Sequence, residues 1–206
     1  MPKLEIPRKA VYRLSLYYRA LQRLKANAVE TVSSAALSKA AGVKPTQLRK
    51  DLAYFGQLGT RGLGYSVEHL TQKLMEVLGT ARLQPVVLVG IGHMGSALVR
   101  YRGFEKEGFE IVAGFDMDVQ RNRSTARVLP ILPMTGLRSF IRERHVKLAI
   151  LTVPVTVAQE VTNELVACGI QAILNFAPTI LQVPDGVVVN NVDLAIELEN
   201  LSYFIR

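Results

Sequence analysis

The sequence predicts an α/β protein of two unlike parts: a small, mostly helical N-terminal segment and a larger, doubly wound parallel sheet. Three observations predict it. Residues 1–82 hold fourteen Lys/Arg against five Asp/Glu, a net +9, whereas residues 83–206 hold eleven against twelve. The apolar run Val86–Val89 passes directly into Gly90-Ile91-Gly92-His93-Met94-Gly95 and then the small-residue helix start Ser96-Ala97-Leu98. From there short apolar runs alternate with amphipathic stretches, the pattern of βαβ units.

At 206 residues the chain can bury a substantial core. No apolar run approaches the ~20 residues that span a bilayer, and the start MPKLEIPRKAVYRL carries no apolar export signal. The single cysteine, Cys168, rules out an internal disulfide. It falls near the end of an apolar helix and reads as core packing, so the expected location is a reducing cytoplasm. A basic excess confined to one segment points to a module that binds a polyanion.

In that segment, Leu14, Tyr17, Leu21 and Leu24 recur at helical spacing and predict a helix over about Arg8–Lys25. Val29–Val32 reads as a short connection. Ser33-Ser34 supplies an N-cap for a small helix, Ala35–Ala41, closed by Gly42. Val43-Lys44-Pro45 then leads into a third helix, Thr46 to about Phe55. Helix, glycine-containing turn, helix is helix-turn-helix grammar. Leu48, Leu52 and Phe55 form the apolar stripe of the third helix, which leaves Gln47, Arg49, Lys50 and Tyr54 as donors for phosphates and base edges, with Lys44 ahead of them. Gly56–Tyr65 holds four glycines in ten residues with Arg61 near its middle. This reads as a tight hairpin with a cation at its tip, a wing beside a recognition helix. Val67–Leu78 is a fourth helix, and 79–84 a linker.

The glycine motif has a physical job. Gly90 allows the tight turn, Gly92 admits a pyrophosphate to the backbone, and Gly95 permits close packing of helix on strand. Ile91, His93 and Met94 complete the loop, and the unpaired N–H groups at the helix start suit an anion. A second strand, Glu110–Phe115, ends at Asp116, 21 residues after Gly95, where a carboxylate binds ribose hydroxyls and disfavours a 2′-phosphate. Residues 116–133 read as irregular, with Arg121, Arg123 and Arg127 as solvated loop charges. A helix over Gly136–Arg144, a strand Lys147–Thr152 and a helix over about Thr156–Cys168 follow. The strand Ala172–Leu174 and a last strand Gly186–Val189 complete the sheet. The ligand crevice belongs at the carboxyl ends of the strands, where Thr152-Val153-Pro154 and Asn175-Phe176-Ala177-Pro178 join the glycine loop and Asp116. The tail is a helix candidate capped by Asp193, with Leu194, Leu198, Leu201 and Ile205 on one stripe. Packing on its own domain is its default role, and exchange between protomers the sharper alternative.

These residues resemble the Rex family of redox-sensing transcriptional repressors. The matching stretches are Leu48-Arg49-Lys50-Asp51-Leu52, Tyr54-Phe55-Gly56, Gly59-Thr60-Arg61-Gly62-x-Gly64-Tyr65, the glycine loop, Phe115-Asp116, Thr152-Val153-Pro154, Asn175–Pro178 and Asn191-Val192-Asp193. The resemblance implies a cytoplasmic homodimer with an N-terminal winged helix (1–82), a Rossmann NAD(H)-binding domain (83–190) and a swapped dimerisation helix (191–206). It further implies binding to double-stranded inverted-repeat operator DNA, release when NADH binds, and a switch built from Arg19, Tyr101 and Asp193. Two positions depart from the family: His93 stands where Asn or Arg is common, and Leu194 where Phe contacts the nicotinamide.

A hydride-transferring dehydrogenase is the competing class. It needs a proton donor or acceptor beside its substrate, and the sequence gives none of His69, His93 and His145 an evident carboxylate partner. A regulator binding CoA or another adenine nucleotide is the second alternative.

Overall fold

The computed structural model describes residues 6–60, 62–122 and 128–205, so Arg61, Arg123 and Arg127 lie outside the described residues. The chain divides into two compact units, Met1–Arg82 and Leu83–Arg206.

In the first unit α1 (Arg8–Ala26), α2 (Ser34–Ala40), α3 (Pro45–Ala53) and α4 (Val67–Leu78) surround a core of Leu14, Tyr17, Leu21, Leu37, Leu48, Leu52, Leu70 and Leu74. Ser33 caps α2 by accepting the Ala36 N–H at 3.1 Å. Lys44 precedes α3 in extended conformation and Pro45 takes its first position, where a missing N–H costs nothing. This helix stops at Ala53, two residues short of the expected Phe55, because the backbone turns at Gly56 with φ +98°. The expected connection at Val29–Val32 contains a strand instead. β1 (Thr31–Val32) pairs antiparallel with β2 (Tyr65–Ser66), and a bridge between Thr60 and Gly64 closes the hairpin between α3 and β2. Gly64 has φ +87°, and a Cβ there would lie 2.4 Å from the Val32 carbonyl oxygen, so only glycine lets the hairpin close on β1. This is the wing.

The second unit is one sheet of six parallel strands in the order β5-β4-β3-β6-β7-β8. They are β3 (Gln84–Val89), β4 (Phe109–Asp116), β5 (Ile131–Pro133), β6 (Leu148–Leu151), β7 (Ala172–Asn175) and β8 (Val188–Asn191). The period-two alternation of β3 divides its side chains. Val87 and Val89 enter a core with Leu137, Ile141, Ala158 and Leu165, from α7 (Leu137–Arg144) and α8 (Val155–Ala167). Val86 and Leu88 enter the opposite core with Leu98, Val99 and Phe104, from α5 (His93–Arg100) and α6 (Gly103–Lys106). Helices on both faces and a strand order that reverses at β3 make a doubly wound sheet with its switch point between β3 and β6.

Three features of this unit differ from expectation. The stretch 116–133 contains a short 3-10 turn, Val119–Asn122, and β5, whose three residues next to Pro130 are too few to show alternation. The last strand runs over Val188–Asn191 rather than Gly186–Val189. Gly186 turns at φ +92°, and Asn191 pairs in register with Asn175. The terminal helix α9 (Leu194–Tyr203) does not pack on its own domain, for none of its residues is buried. Leu198 is 67% exposed and Leu201 63%.

Candidate functional site

The winged unit presents α3 with its apolar side sealed: Leu48 and Leu52 are buried, and Arg49 and Lys50 stand exposed. Lys44 is exposed at the amino end of the helix, and Tyr54 is half-buried just past its last residue. The Arg49 guanidinium donates to the Ser34 hydroxyl at 3.1 Å, which turns it toward the start of α2. Burial pushes the Tyr65 phenol up, and the nearby Arg49 charge opposes that shift. Helix α3, the start of α2 and the wing enclose a cavity of about 530 Å³ lined by Arg49, Gly56, Gly59, Thr60, Gly64 and Tyr65. Helix α3 and the wing therefore share one concave surface, with Arg49 as the cation in its lining. Gln47 departs from the expected pattern. Its side-chain amide is not simply offered outward, because it donates to Asp51 at 2.8 Å. Asp51 lies 38 residues from its partner Arg13 and 34 from Tyr17. Sequence reasoning passed over it because an acid within a basic helix carries no signal of a distant partner.

In the sheet unit the parallel strands deliver Gly90, Asp116, Thr152 and Asn175 to one edge. The three loop glycines do three different things. Gly90 turns at φ +93°, and a Cβ there would sit 2.8 Å from the Thr152 carbonyl. Gly95 is buried, and its Cβ would lie 2.1 Å from the Gly90 oxygen. A Cβ on Gly92 would meet nothing within 4 Å, so the backbone there is open to a ligand. Gly92 caps α5 without a side chain, and helix geometry leaves the N–H groups of His93, Met94 and Gly95 without intrahelical partners. His93 and Met94 are exposed, whereas the Ile91 side chain is buried in the core under α5, so only its backbone faces the loop.

The Asp116 carboxylate accepts the Ile91 N–H at 2.6 Å on one oxygen and the Asp118 N–H at 2.9 Å on the other. Each oxygen keeps a lone pair, enough for the two hydroxyls of a ribose. The Thr152 hydroxyl donates to the Gly90 carbonyl at 2.6 Å and so fastens the two loops together. Val153 is half-buried against the core and Pro154 exposed at the start of α8. Asn175 is fully buried. Its amide donates to the Ala177 and Thr179 carbonyls and to Asn191, and its carbonyl accepts the Ala177 N–H. These bonds shape the loop that carries the half-buried Phe176, the buried Ala177 and the exposed Pro178.

Of the expected switch residues, Tyr101 is exposed and stacks edge-on against Phe104 at 5.1 Å. Arg19 is exposed on α1. Asp193 caps α9 by accepting the Ala195 N–H at 2.9 Å. Leu194, 57% exposed, opens the uncovered helix α9. Among the described residues no helix is long and apolar enough to cross a membrane, and no cluster of His, Cys, Asp and Glu is placed to hold a metal. The Cys168 thiol is half-buried against the core of α7 and α8, and burial pushes its pKa up.

A winged helix joined to a dinucleotide-type sheet defines a ligand-responsive DNA-binding regulator. Residues 5–53 match the family described as "Putative DNA-binding protein N-terminus", and residues 82–179 match "CoA binding domain". The redox-sensing transcriptional repressor Rex of Carboxydothermus hydrogenoformans is 44% identical over 206 residues, covering 100% of this chain and 99% of the relative. That of Streptomyces coelicolor is 44% identical over 198 residues, covering 96% of this chain and 77% of the relative. The crystal structure of RSP, a Rex-family repressor, in complex with β-NAD+ and operator DNA superposes with a TM-score of 0.90. It is 35% identical, and the match covers 98% of this chain and 94% of that one. RSP with β-NADH gives a TM-score of 0.86 at 34% identity, covering 98% and 95%. The chain belongs to the Rex family of redox-sensing transcriptional repressors.

Proposed function

We propose that this chain is a homodimeric repressor that holds inverted-repeat operator DNA with two winged helices and releases it when NADH occupies the sheet unit. The observation that carries the reading is the coexistence, in one chain, of a sealed helix-and-wing surface and an open Gly92 loop facing Asp116. Its support from outside is RSP, whose complexes hold NAD+ with operator DNA and, separately, NADH. A partner that is chromosomal DNA makes the cytoplasm the working location. The role is regulatory rather than catalytic, in keeping with relatives named as repressors.

On the DNA side, Arg49 and Lys50 are the base readers, and Lys44, Tyr54 and Arg61 hold phosphates or the minor groove. Replacing Lys44 by alanine is expected to weaken all duplexes alike and to reduce the salt slope by about one unit. Replacing Arg49 or Lys50 is expected to relax discrimination at one base pair by roughly 1–3 kcal/mol. Salt-dependent titrations on matched and mismatched duplexes distinguish the two.

On the nucleotide side, the His93, Met94 and Gly95 N–H groups receive the pyrophosphate, and Asp116 the adenosine ribose. NAD(H) supplies a ring that is cationic when oxidised and neutral when reduced. The apolar side chains of Val153 and Ala177, with Leu194, favour the neutral form. Asp116→Ala is expected to weaken NADH at least about tenfold, since it removes charge-assisted hydrogen bonds of about 1.5–3 kcal/mol. It is also expected to narrow the preference over NADPH, as read by fluorescence titration. The match to a CoA-binding family makes CoA the control ligand in that titration. A change of partners among Arg19, Tyr101 and Asp193 completes the reading as the link from ligand to DNA.

The homodimer rests on α9. Leu194, Ile196, Leu198, Leu201, Phe204 and Ile205 are each more than half exposed. An apolar helix face of that kind marks an interaction surface, and a terminal helix is easily exchanged between protomers.

A further inference from the structure

Among the described residues, the buried polar side chains of the winged unit are Ser38, Asp51 and Thr71, and of these only Asp51 is charged. It is 1% exposed and accepts four hydrogen bonds. The Arg13 guanidinium grips it in two-pronged fashion, Nε to Oδ2 at 2.6 Å and Nη2 to Oδ1 at 2.8 Å. The Tyr17 hydroxyl donates to Oδ2 at 2.7 Å and the Gln47 amide to Oδ1 at 2.8 Å. Arg13 and Tyr17 stand one turn apart on α1, and Gln47 and Asp51 one turn apart on α3. The four side chains thus form a two-by-two lattice across the helix crossing. Burial opposes the charge on Asp51, and the bonds from Arg13, Tyr17 and Gln47 outweigh it, holding the carboxyl below its ordinary value.

A buried ion pair is a poor source of net stability, because desolvation offsets its attraction and apolar residues of the same volume serve as well. What it supplies is direction. Leu48 and Leu52 resist separation of the helices but tolerate small rotations, whereas a planar guanidinium–carboxylate pair does not. Asp51 directly follows Arg49 and Lys50 in the chain. A rotation of α3 by about 20° moves a side-chain tip about 6 Å from the axis by roughly 2 Å, enough to break a hydrogen bond to a base.

We propose that Asp51 is a positioning residue for operator recognition: clamped by Arg13 and Tyr17 and holding Gln47, it fixes the rotation of α3 so that Arg49 and Lys50 meet the bases in register. This rests on the operator-binding reading above. The clamp makes α1 and the recognition helix a single body, with the exposed Arg19 further along the same α1.

The test uses the full chain and an inverted-repeat duplex selected by the unaltered protein from a random pool. Affinities for that duplex and for a scrambled one of equal length are measured for Asp51→Asn, Arg13→Lys and Tyr17→Phe, with thermal melts alongside. Asp51→Asn and Arg13→Lys are expected to lower the ratio of the two affinities about tenfold or more, the cost of roughly one misread base pair. Affinity for the scrambled duplex and the salt slope stay within about twofold, because every phosphate-facing cation remains. Tyr17→Phe, which removes one bond of four, lowers the ratio less. Should Asp51→Asn fail to fold, Arg13→Lys, which keeps the charge and loses only the fork, decides the matter. A ratio unchanged in folded Arg13→Lys, or both affinities falling in step with the folded fraction, overturns the proposal. Failure of the unaltered chain to select any duplex overturns the operator reading instead.

Discussion

Gly92→Val is expected to abolish NADH binding, by at least about a hundredfold or 2.7 kcal/mol, while leaving the fold intact. The backbone at Gly92 is extended, with φ −72° and ψ −159°, and so does not need the left-handed conformation that only glycine adopts freely. A Cβ there touches nothing within 4 Å, so the protein itself has no objection to the side chain. The space it fills is the space a pyrophosphate needs against the α5 N–H groups. Stability is therefore expected to fall by no more than about 1 kcal/mol, the cost of a poorer N-cap on α5. Gly95→Ala is the contrasting case. Its Cβ would press to 2.1 Å from the Gly90 carbonyl oxygen, with the Thr152 hydroxyl at 3.0 Å. Both neighbours are held by hydrogen bonds, Gly90 N to Phe115 O at 2.8 Å and Thr152 Oγ1 to Gly90 O at 2.6 Å. That substitution is expected to destabilise the sheet unit by roughly 1–3 kcal/mol. Thermal melts beside fluorescence titrations separate a lost ligand site from a lost fold.

Charging the uncovered helix is expected to have the second large effect. Replacing Leu198 and Leu201 by aspartate costs the isolated chain little, since both side chains are already mostly exposed. In a dimer the same change buries two unpaired charges in each copy of the interface, which is prohibitive. The double variant is expected to run as a monomer in sedimentation. Its affinity for an inverted repeat is expected to fall by about 10² or more, because the second half-site no longer benefits from tethering to the first. Affinity for a single half-site stays near that of the unaltered winged unit. A variant that remains dimeric would remove α9 from the interface.

How much of this was legible in the sequence depended on whether the determining contact was local. Helix α4 was read to the residue, because its ends are set by neighbours in sequence: Ser66 accepts the His69 N–H at 3.3 Å, and Gly79 ends the helix at φ +73°. The roles of Gly90 and Gly95 were also legible, since strand, turn and helix follow one another directly. Distant contacts were not. The clamp on Asp51 joins residues 34 and 38 apart, and it turned Gln47, which reads as an outward donor, partly inward. Asn175 reads as a crevice residue by its place at a strand end, and the sequence gives no sign that its amide turns back to Ala177, Thr179 and Asn191. Strand β5 exists only because β4 offers Gly114–Asp116 for pairing, and three residues cannot announce that alone. For α9 the apolar stripe was legible but not what lies against it, and the exposure of that stripe in a single chain overturned packing on its own domain.

Nucleotide and DNA are expected to oppose each other through one conformational equilibrium. Such an opposition is reciprocal: if NADH weakens operator binding by some factor, operator must weaken NADH binding by the same factor. The direct measurement is a mobility-shift titration on the selected inverted repeat at several NADH/NAD+ ratios, paired with NADH titrations in the presence and absence of that duplex. The expected result is operator binding that persists in NAD+ and falls as the NADH share rises, with equal coupling factors from the two directions. That factor shrinks in Asp193→Ala while each intrinsic affinity holds. Operator affinity indifferent to the NADH/NAD+ ratio would contradict the account.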